Sequence, residues 1–426
     1  MIDRSAIFGR TTIHAFAWLA IGNAAGVVLA LLLLVPALGS MLGELTWGRL
    51  ASVHLSVQLY GWCSIPMIAL LWRVYVVSPR AGRLAPLALD AWSGALAFGA
   101  VSWLLGSNSG KPFLEWAGAP RWLLAVAMWI LALALAAALI AQRRSSSVGA
   151  SSLAWRAKAA ALGALFIVPL VLALSADRAV YPAVNPHSGG ATGWSLLGST
   201  LGIVVIFIAT PALVGVERKG SARAVATCWI ALAASGTLFA LVGHGDRSNH
   251  EPAQIAALAT LLVWPPLLLW LYSKYEWPAA SRRWLGAFGV WGSALVSTAF
   301  AMFLPGILER TKFTNVLVSH SHLAMAGLVT SFCMLLLTTL DESGRAGRAA
   351  GDRMTFWLWQ TAFVAHIGAL AYAGFREGSD PGLAFGPSFA IDAAYAVRAV
   401  AGIAMLALSL VWLWRAQAVT EEELNV

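Results

Sequence analysis

Long apolar runs recur along the whole chain, separated by short polar segments. Twelve are present, at approximately 13–40, 50–77, 85–106, 118–142, 157–176, 192–216, 223–243, 253–275, 283–307, 314–340, 355–375 and 391–416. Each is long enough to cross about 30 Å of hydrocarbon. Lipid offers no partner to an exposed peptide group, so all twelve are predicted as helices. The expected fold class is an all-α integral membrane protein with twelve transmembrane helices. It forms a single domain over 1–426, because no soluble domain fits between the runs.

Composition agrees with this pattern: 59% of the residues are hydrophobic and only 11% charged, against about 25% charged in soluble domains. The net charge of +9 would suit a polyanionic partner, but its distribution argues otherwise. With the N-terminus inside, the segments on the cytoplasmic side hold 19 Lys and Arg and the opposite segments hold 8. That bias follows the positive-inside rule and predicts both termini in the cytoplasm. The basic excess is thus a topology signal, and no nucleic-acid partner is implied. Cys63, Cys228 and Cys333 fall in predicted helices without CxxC spacing, which excludes a thiolate metal site of that kind.

Ionisable groups inside a bilayer are expensive and usually functional. Eight histidines are present, and His14 and His366 are read as structural. In "LVSHSHLAMAG" (317–327), His320 and His322 stand two positions apart within the tenth run. On a helix such residues point about 200° apart, so they cannot share one small metal ion. They can serve separate sites on opposite sides of the helix, and two hemes, each taking one imidazole, would fit. A low-spin heme needs a second axial ligand, for which His54 in the second run lies at similar depth in the outer half of the membrane.

"LTWGRLASVHLSVQLYGW" (45–62) and "TKFTNVLVSHSHLAMAGL" (311–328) resemble the catalytic subunit of heme–copper oxidases, nearest to the cbb3-type class. "GNAAGVVLALLLLVPAL", "FWLWQTAFVAHIGALAYAGF" and "DAAYAVRAVAGIAMLALSLVWLWRA" extend the likeness to the first, eleventh and twelfth helices. The resemblance implies a subunit I-like bundle in a bacterial-type inner membrane. It implies two b-type hemes, with His54 and His322 as the low-spin pair and His320 as the high-spin ligand. The implied partners are membrane lipid, a cytochrome c-type or other respiratory subunit, and quinol.

The chain departs from that family where copper should bind. The sixth run, "GGATGWSLLGSTLGIVVIFIATPAL", has no histidine, and Trp194 stands near the expected place. The seventh ends "LFALVGHGDRSNH", so His244 adjoins Gly245 rather than a second histidine, and neither run contains tyrosine. One histidine does not hold copper or iron tightly, and the nitric oxide reductase pattern fails at the same positions. The expected function is therefore a heme b-binding respiratory subunit that relays electrons and is degenerate at the oxygen-reducing site. The alternative is an active terminal oxidase or nitric oxide reductase-type enzyme whose copper or non-heme iron is held by His187, His244 and His250. Arg310 and Lys312, just outside the tenth run, are expected to pair with heme propionates, with Glu309 as a local counter-charge. Arg398, within the twelfth run, is either a snorkelling residue or a further charge partner.

Overall fold

The computed structural model describes residues 4–76, 82–145, 153–180, 192–245, 247–384 and 388–418. Its long helices are α1 (Arg4–Leu34), α2 (Trp47–Tyr75), α3 (Ala85–Leu104), α4 (Ala119–Ser145), α5 (Leu153–Ser175) and α6 (Gly193–Val214). They continue with α7 (Arg223–Leu241), α8 (Pro252–Tyr272), α9 (Arg282–Met302), α10 (Asn315–Leu340), α11 (Arg353–Ser379) and α12 (Phe389–Gln417). Eleven are long and apolar enough to cross a bilayer, the architecture of a multi-pass membrane protein. The exception is α11, which covers the run at 355–375 but is not among those eleven. Its 27 residues include Arg353, Gln360, His366, Arg376 and Glu377, and these polar groups lower its apolarity.

Three of the described spans depart from α geometry midway. Gln58–Cys63 of α2 and Leu323–Val329 of α10 are π turns. In α8 the helix narrows to a 3₁₀ turn over Thr260–Val263, before Pro265 and Pro266, which lack the amide hydrogen that an α turn needs.

The chain divides into two compact units. The first comprises Met1–Tyr181, Leu336–Ala362 and Ala399–Val426. Here α1 packs on α2, and α3 and α4 pair. The core is aromatic: Phe16 stacks on Trp62 at 6.1 Å, and Trp103 and Trp116 meet edge to face at 4.8 Å. Buried indoles need an acceptor, and Trp92 and Trp103 find one in the carbonyls of Tyr60 and Glu115, both at 2.7 Å. Lys111 and Arg121 of this unit have structural partners. Lys111, buried, donates to the carbonyls of Ser175, Asp177 and Val180. Arg121 pairs with Asp177. The Ala179 amide and the Arg121 guanidinium hold the Asp177 carboxyl below the usual carboxylate range.

The second unit comprises Pro182–Leu335 and Phe363–Arg398. Phe207, Phe288 and Phe332 form its aromatic centre at 4.8–5.6 Å. Large apolar side chains such as Ile230 of α7 and Val290 of α9 stay exposed, as does Ile167 of α5 in the first unit. On bilayer-length apolar helices such faces are solvated by lipid.

Within the second unit, Gly374 and Gly378 let the backbone around 310–316 lie directly on α11. A Cβ on Gly374 would overlap the amide of Val316, and one on Gly378 the carbonyl of Arg310. Overpacking of this kind costs about 1–3 kcal/mol, because backbone has to move. Gly374→Ala is accordingly expected to lower the midpoint of thermal unfolding in detergent. Gly368→Ala, six residues before Gly374 and facing open space, should leave the midpoint unchanged or raise it slightly through helix propensity.

Candidate functional site

His54 lies in the first half of α2. Its Nδ1–H donates to the carbonyl of Gly22 on α1 at 2.8 Å. A carbonyl only accepts, so Nδ1 carries the proton and the lone pair of the neutral ring is on Nε2. Glycines on α1 make the seat. A Cβ on Gly26 would stand 2.8 Å from Cε1 of His54, and one on Gly22 would stand 2.7 Å from Nε2 of Gln58. Gln58 is held in turn by Asn23, its Nε2 donating to Oδ1 at 2.9 Å. The Gly22-x3-Gly26 spacing is the small-residue pattern that lets two membrane helices approach closely.

His320 and His322 leave α10 towards different neighbours, as two residues of separation on a helix requires. The Nδ1 of His320 is 3.1 Å from the hydroxyl oxygen of Thr298 on α9. That hydroxyl donates to the Ala294 carbonyl at 2.8 Å, so it accepts from the imidazole and again leaves the lone pair on Nε2. His322 donates from Nδ1 to the Val318 carbonyl at 2.8 Å, and its ring lies 4.6 Å from that of His366 on α11. His366, read from the sequence as structural, is buried against one of the candidate ligands. All three imidazoles thus share one arrangement, in which Nδ1–H is fixed by an oxygen and the lone pair of the neutral ring is on Nε2. Such outer bonds orient a ligand and raise its basicity.

His320 also lines a cavity of about 380 Å³ in the second unit. Arg310, Thr298, Met302, Leu323 and Phe375 share its wall. The volume falls in the range of small-molecule and cofactor sites, roughly 300–1,000 Å³. The lining suits a planar apolar cofactor with acidic substituents: one imidazole, aliphatic and aromatic surface, and an exposed guanidinium. Lys312 is not in that lining; its ammonium lies over the ring of Phe313 at 5.1 Å. Glu309 does not pair with Arg310 or Lys312 as expected. One of its oxygens accepts from the Gly306 amide at 2.7 Å and the other is 3.5 Å from Nδ1 of His250. The tight turn at 306–309 folds the carboxylate back onto the loop.

The remaining histidines are placed differently. His244 donates from Nε2 to the Phe239 carbonyl at 2.7 Å, and its ring packs between those of Trp194 and Phe239, each at 4.9 Å. His250 faces Glu309, and His187 lies outside the described residues. Among the described residues, no group of three or more His, Cys, Asp or Glu side chains is placed to hold a metal ion. His14 binds the hydroxyl of Ser93 at 2.8 Å, beside the Arg10–Asp90 ion pair.

Arg398 is buried to 7% exposure within α12, which excludes snorkelling. Its Nε has no hydrogen-bond partner among the described residues. Glu377 accepts from the backbone and side-chain amides of Asn315 at 2.9 and 2.6 Å, and Asn315 also donates to the Tyr395 hydroxyl.

No family model and no curated protein matches this chain. Its chemistry has to be argued from the site alone. Thr298, the glycine seat of His54, the His322–His366 contact and the burial of Arg398 were absent from the sequence reading. Of these, only the Gly-x3-Gly spacing leaves a local signal.

Proposed function

We propose that this chain is a heme b-binding subunit of a membrane respiratory oxidoreductase and relays electrons between a quinol or cytochrome c-type partner and its hemes. The observation that carries the reading is the cavity beside His320. It joins an imidazole whose tautomer is set by Thr298, apolar walls and the Arg310 guanidinium. His320 would be the axial ligand of the heme seated there. His54 and His322 would be the axial pair of a low-spin heme; their pairing rests on the sequence resemblance, and the matching tautomers of the two rings support it.

Bound heme supplies a one-electron couple at each site. The chain's own residues do the rest. Thr298, Gly22 and Val318 fix the three rings so that each offers Nε2. Gly22 and Gly26 hold the His54 ring against α1. Arg310 at the cavity wall and Arg398 inside α12 offer charge-assisted bonds to carboxylates.

Heme and metal stoichiometry of the purified protein, with its reduced-minus-oxidised spectrum, tests the proposal. Two b-type hemes per chain and no stoichiometric copper or extra iron are expected. A stoichiometric second metal with oxygen turnover would replace the relay by a terminal oxidase whose metal site includes His244. A colourless preparation would remove the heme reading altogether.

A further inference from the structure

The histidine-bearing stretches of α2 and α10 repeat one pattern. In "HLSVQLYGWCS" (54–64), Gly61 follows His54 by seven residues and Ser64 by ten. In "HSHLAMAGLVT" (320–330), Gly327 and Thr330 follow His320 at the same intervals. One copy lies in each compact unit.

The backbone repeats with the residues. Each copy contains a π turn, Gln58–Cys63 in the first and Leu323–Val329 in the second. One residue closes each turn with two donors to the same carbonyl. The Ser64 amide and hydroxyl both reach the carbonyl of Leu59, and those of Thr330 reach the carbonyl of Met325; the hydroxyl bonds are 2.8 and 2.9 Å. Each closing amide also reaches the glycine carbonyl, that of Gly61 or Gly327. Other span hydroxyls bond four residues back, as Thr11, Ser52, Thr210 and Ser331 do. A bond five residues back fits only a widened turn. Both glycines face an aromatic side chain. A Cβ on Gly61 would stand 2.6 Å from Cβ of Trp18, and one on Gly327 would stand 2.8 Å from Cζ of Phe363.

A widened turn adds one residue to the helix and so offsets the half above it from the half below by up to about 100°. Such turns are rare, occur singly and concentrate at functional sites. Two at the same distance from a histidine, closed by the same bonds, therefore point to a shared task. Resting on the heme reading above, we infer that the chain carries two copies of one ligand-positioning element, His-x6-Gly-x2-Ser/Thr. In each copy the closing hydroxyl holds the turn that sets the direction of the imidazole. Ser64 and Thr330 are positioning residues, and His54 and His320 are equivalent ligand positions. His322 is an addition to the second copy, standing where the first copy has Ser56. The second copy thus carries ligands for both hemes, whereas the first serves one.

That asymmetry gives the test. Ser64→Ala and Thr330→Val remove the closing hydroxyls; Ser64→Thr and Thr330→Ser keep them. Each full-length variant is purified and read by the largest g value of the low-spin heme and by the iron–histidine stretch of the second heme. Ser64→Ala is expected to shift the low-spin g value alone, Thr330→Val to shift both signals, and the conservative variants to restore wild-type values. If the Ala or Val variants do not fold, Ser64→Cys and Thr330→Cys, with a weaker donor, should show the same pattern at smaller size. Signals that stay at wild-type values while thermal stability falls would overturn the positioning role and leave the heme reading standing. Ser64→Ala moving both signals equally would overturn the independence of the two copies. Wild-type protein without heme would remove the functional reading and this inference with it.

Discussion

Replacing His54 with alanine is expected to halve the heme content, from two per chain to one, and to abolish the low-spin α band of the reduced spectrum. The protein should still fold. The contacts the ring makes include a hydrogen bond to the Gly22 carbonyl, worth about 1 kcal/mol net, and its packing on Gly26. On the proposed reading it would also hold heme iron, and the loss of the low-spin couple depends on that alone. The expected order of effects is thus large on heme content and modest on stability. A second variant separates ligation from packing. His250→Ala removes an exposed imidazole that faces only Glu309, and should leave heme content and spectrum unchanged. Heme content measured as the pyridine adduct, beside the spectrum of each variant, decides the matter. Two hemes retained in the His54 variant would show that this ring is a hydrogen-bonded packing residue and would end its role as a ligand.

Much of the fold could be read from the sequence, because a twenty-residue apolar run specifies a membrane helix without tertiary information. Where that reading differs from the structure, polar residues are the reason: α11 carries Gln360, His366 and Glu377, the last two in contact with residues of other helices. The opposite directions of His320 and His322 were legible for the same local reason, since helical rotation alone fixes them. The partners of those rings were not. Thr298 lies 22 residues before His320 and His366 lies 44 after His322, and only packing brings them together. The widened turns of α2 and α10 escaped because Ser and Thr in an apolar run carry no propensity signal for one; the pattern stands out only when the two copies are set side by side. The engagement of Glu377 by Asn315 and Tyr395 is likewise a matter of contacts and not of composition.

Arg398→Leu is expected to act in opposite directions on the cofactor-free and the cofactor-loaded protein. A guanidinium deep in a membrane helix costs about 2.5–3.5 kcal/mol on insertion scales, and more where it cannot reach the interface. At 7% exposure Arg398 cannot reach it, and its buried Nε has no partner among the described residues. Replacing a buried cation whose Nε is unsatisfied by a shorter aliphatic side chain removes part of that penalty, so the cofactor-free chain should gain stability. On the proposed reading, a heme carboxylate would face that charge in the loaded protein. Removing one member of a buried pair strands the other and costs about 3–5 kcal/mol. Unfolding in mixed micelles, followed on protein made with and without heme supply, reads both effects on one variant. A loss of similar size in both forms would mean that Arg398 is compensated by the chain itself. A gain in both would mean that no anion ever sits beside it, and the role of Arg398 in holding the cofactor would fall, whereas the sign reversal follows only if a bound acid completes the pair.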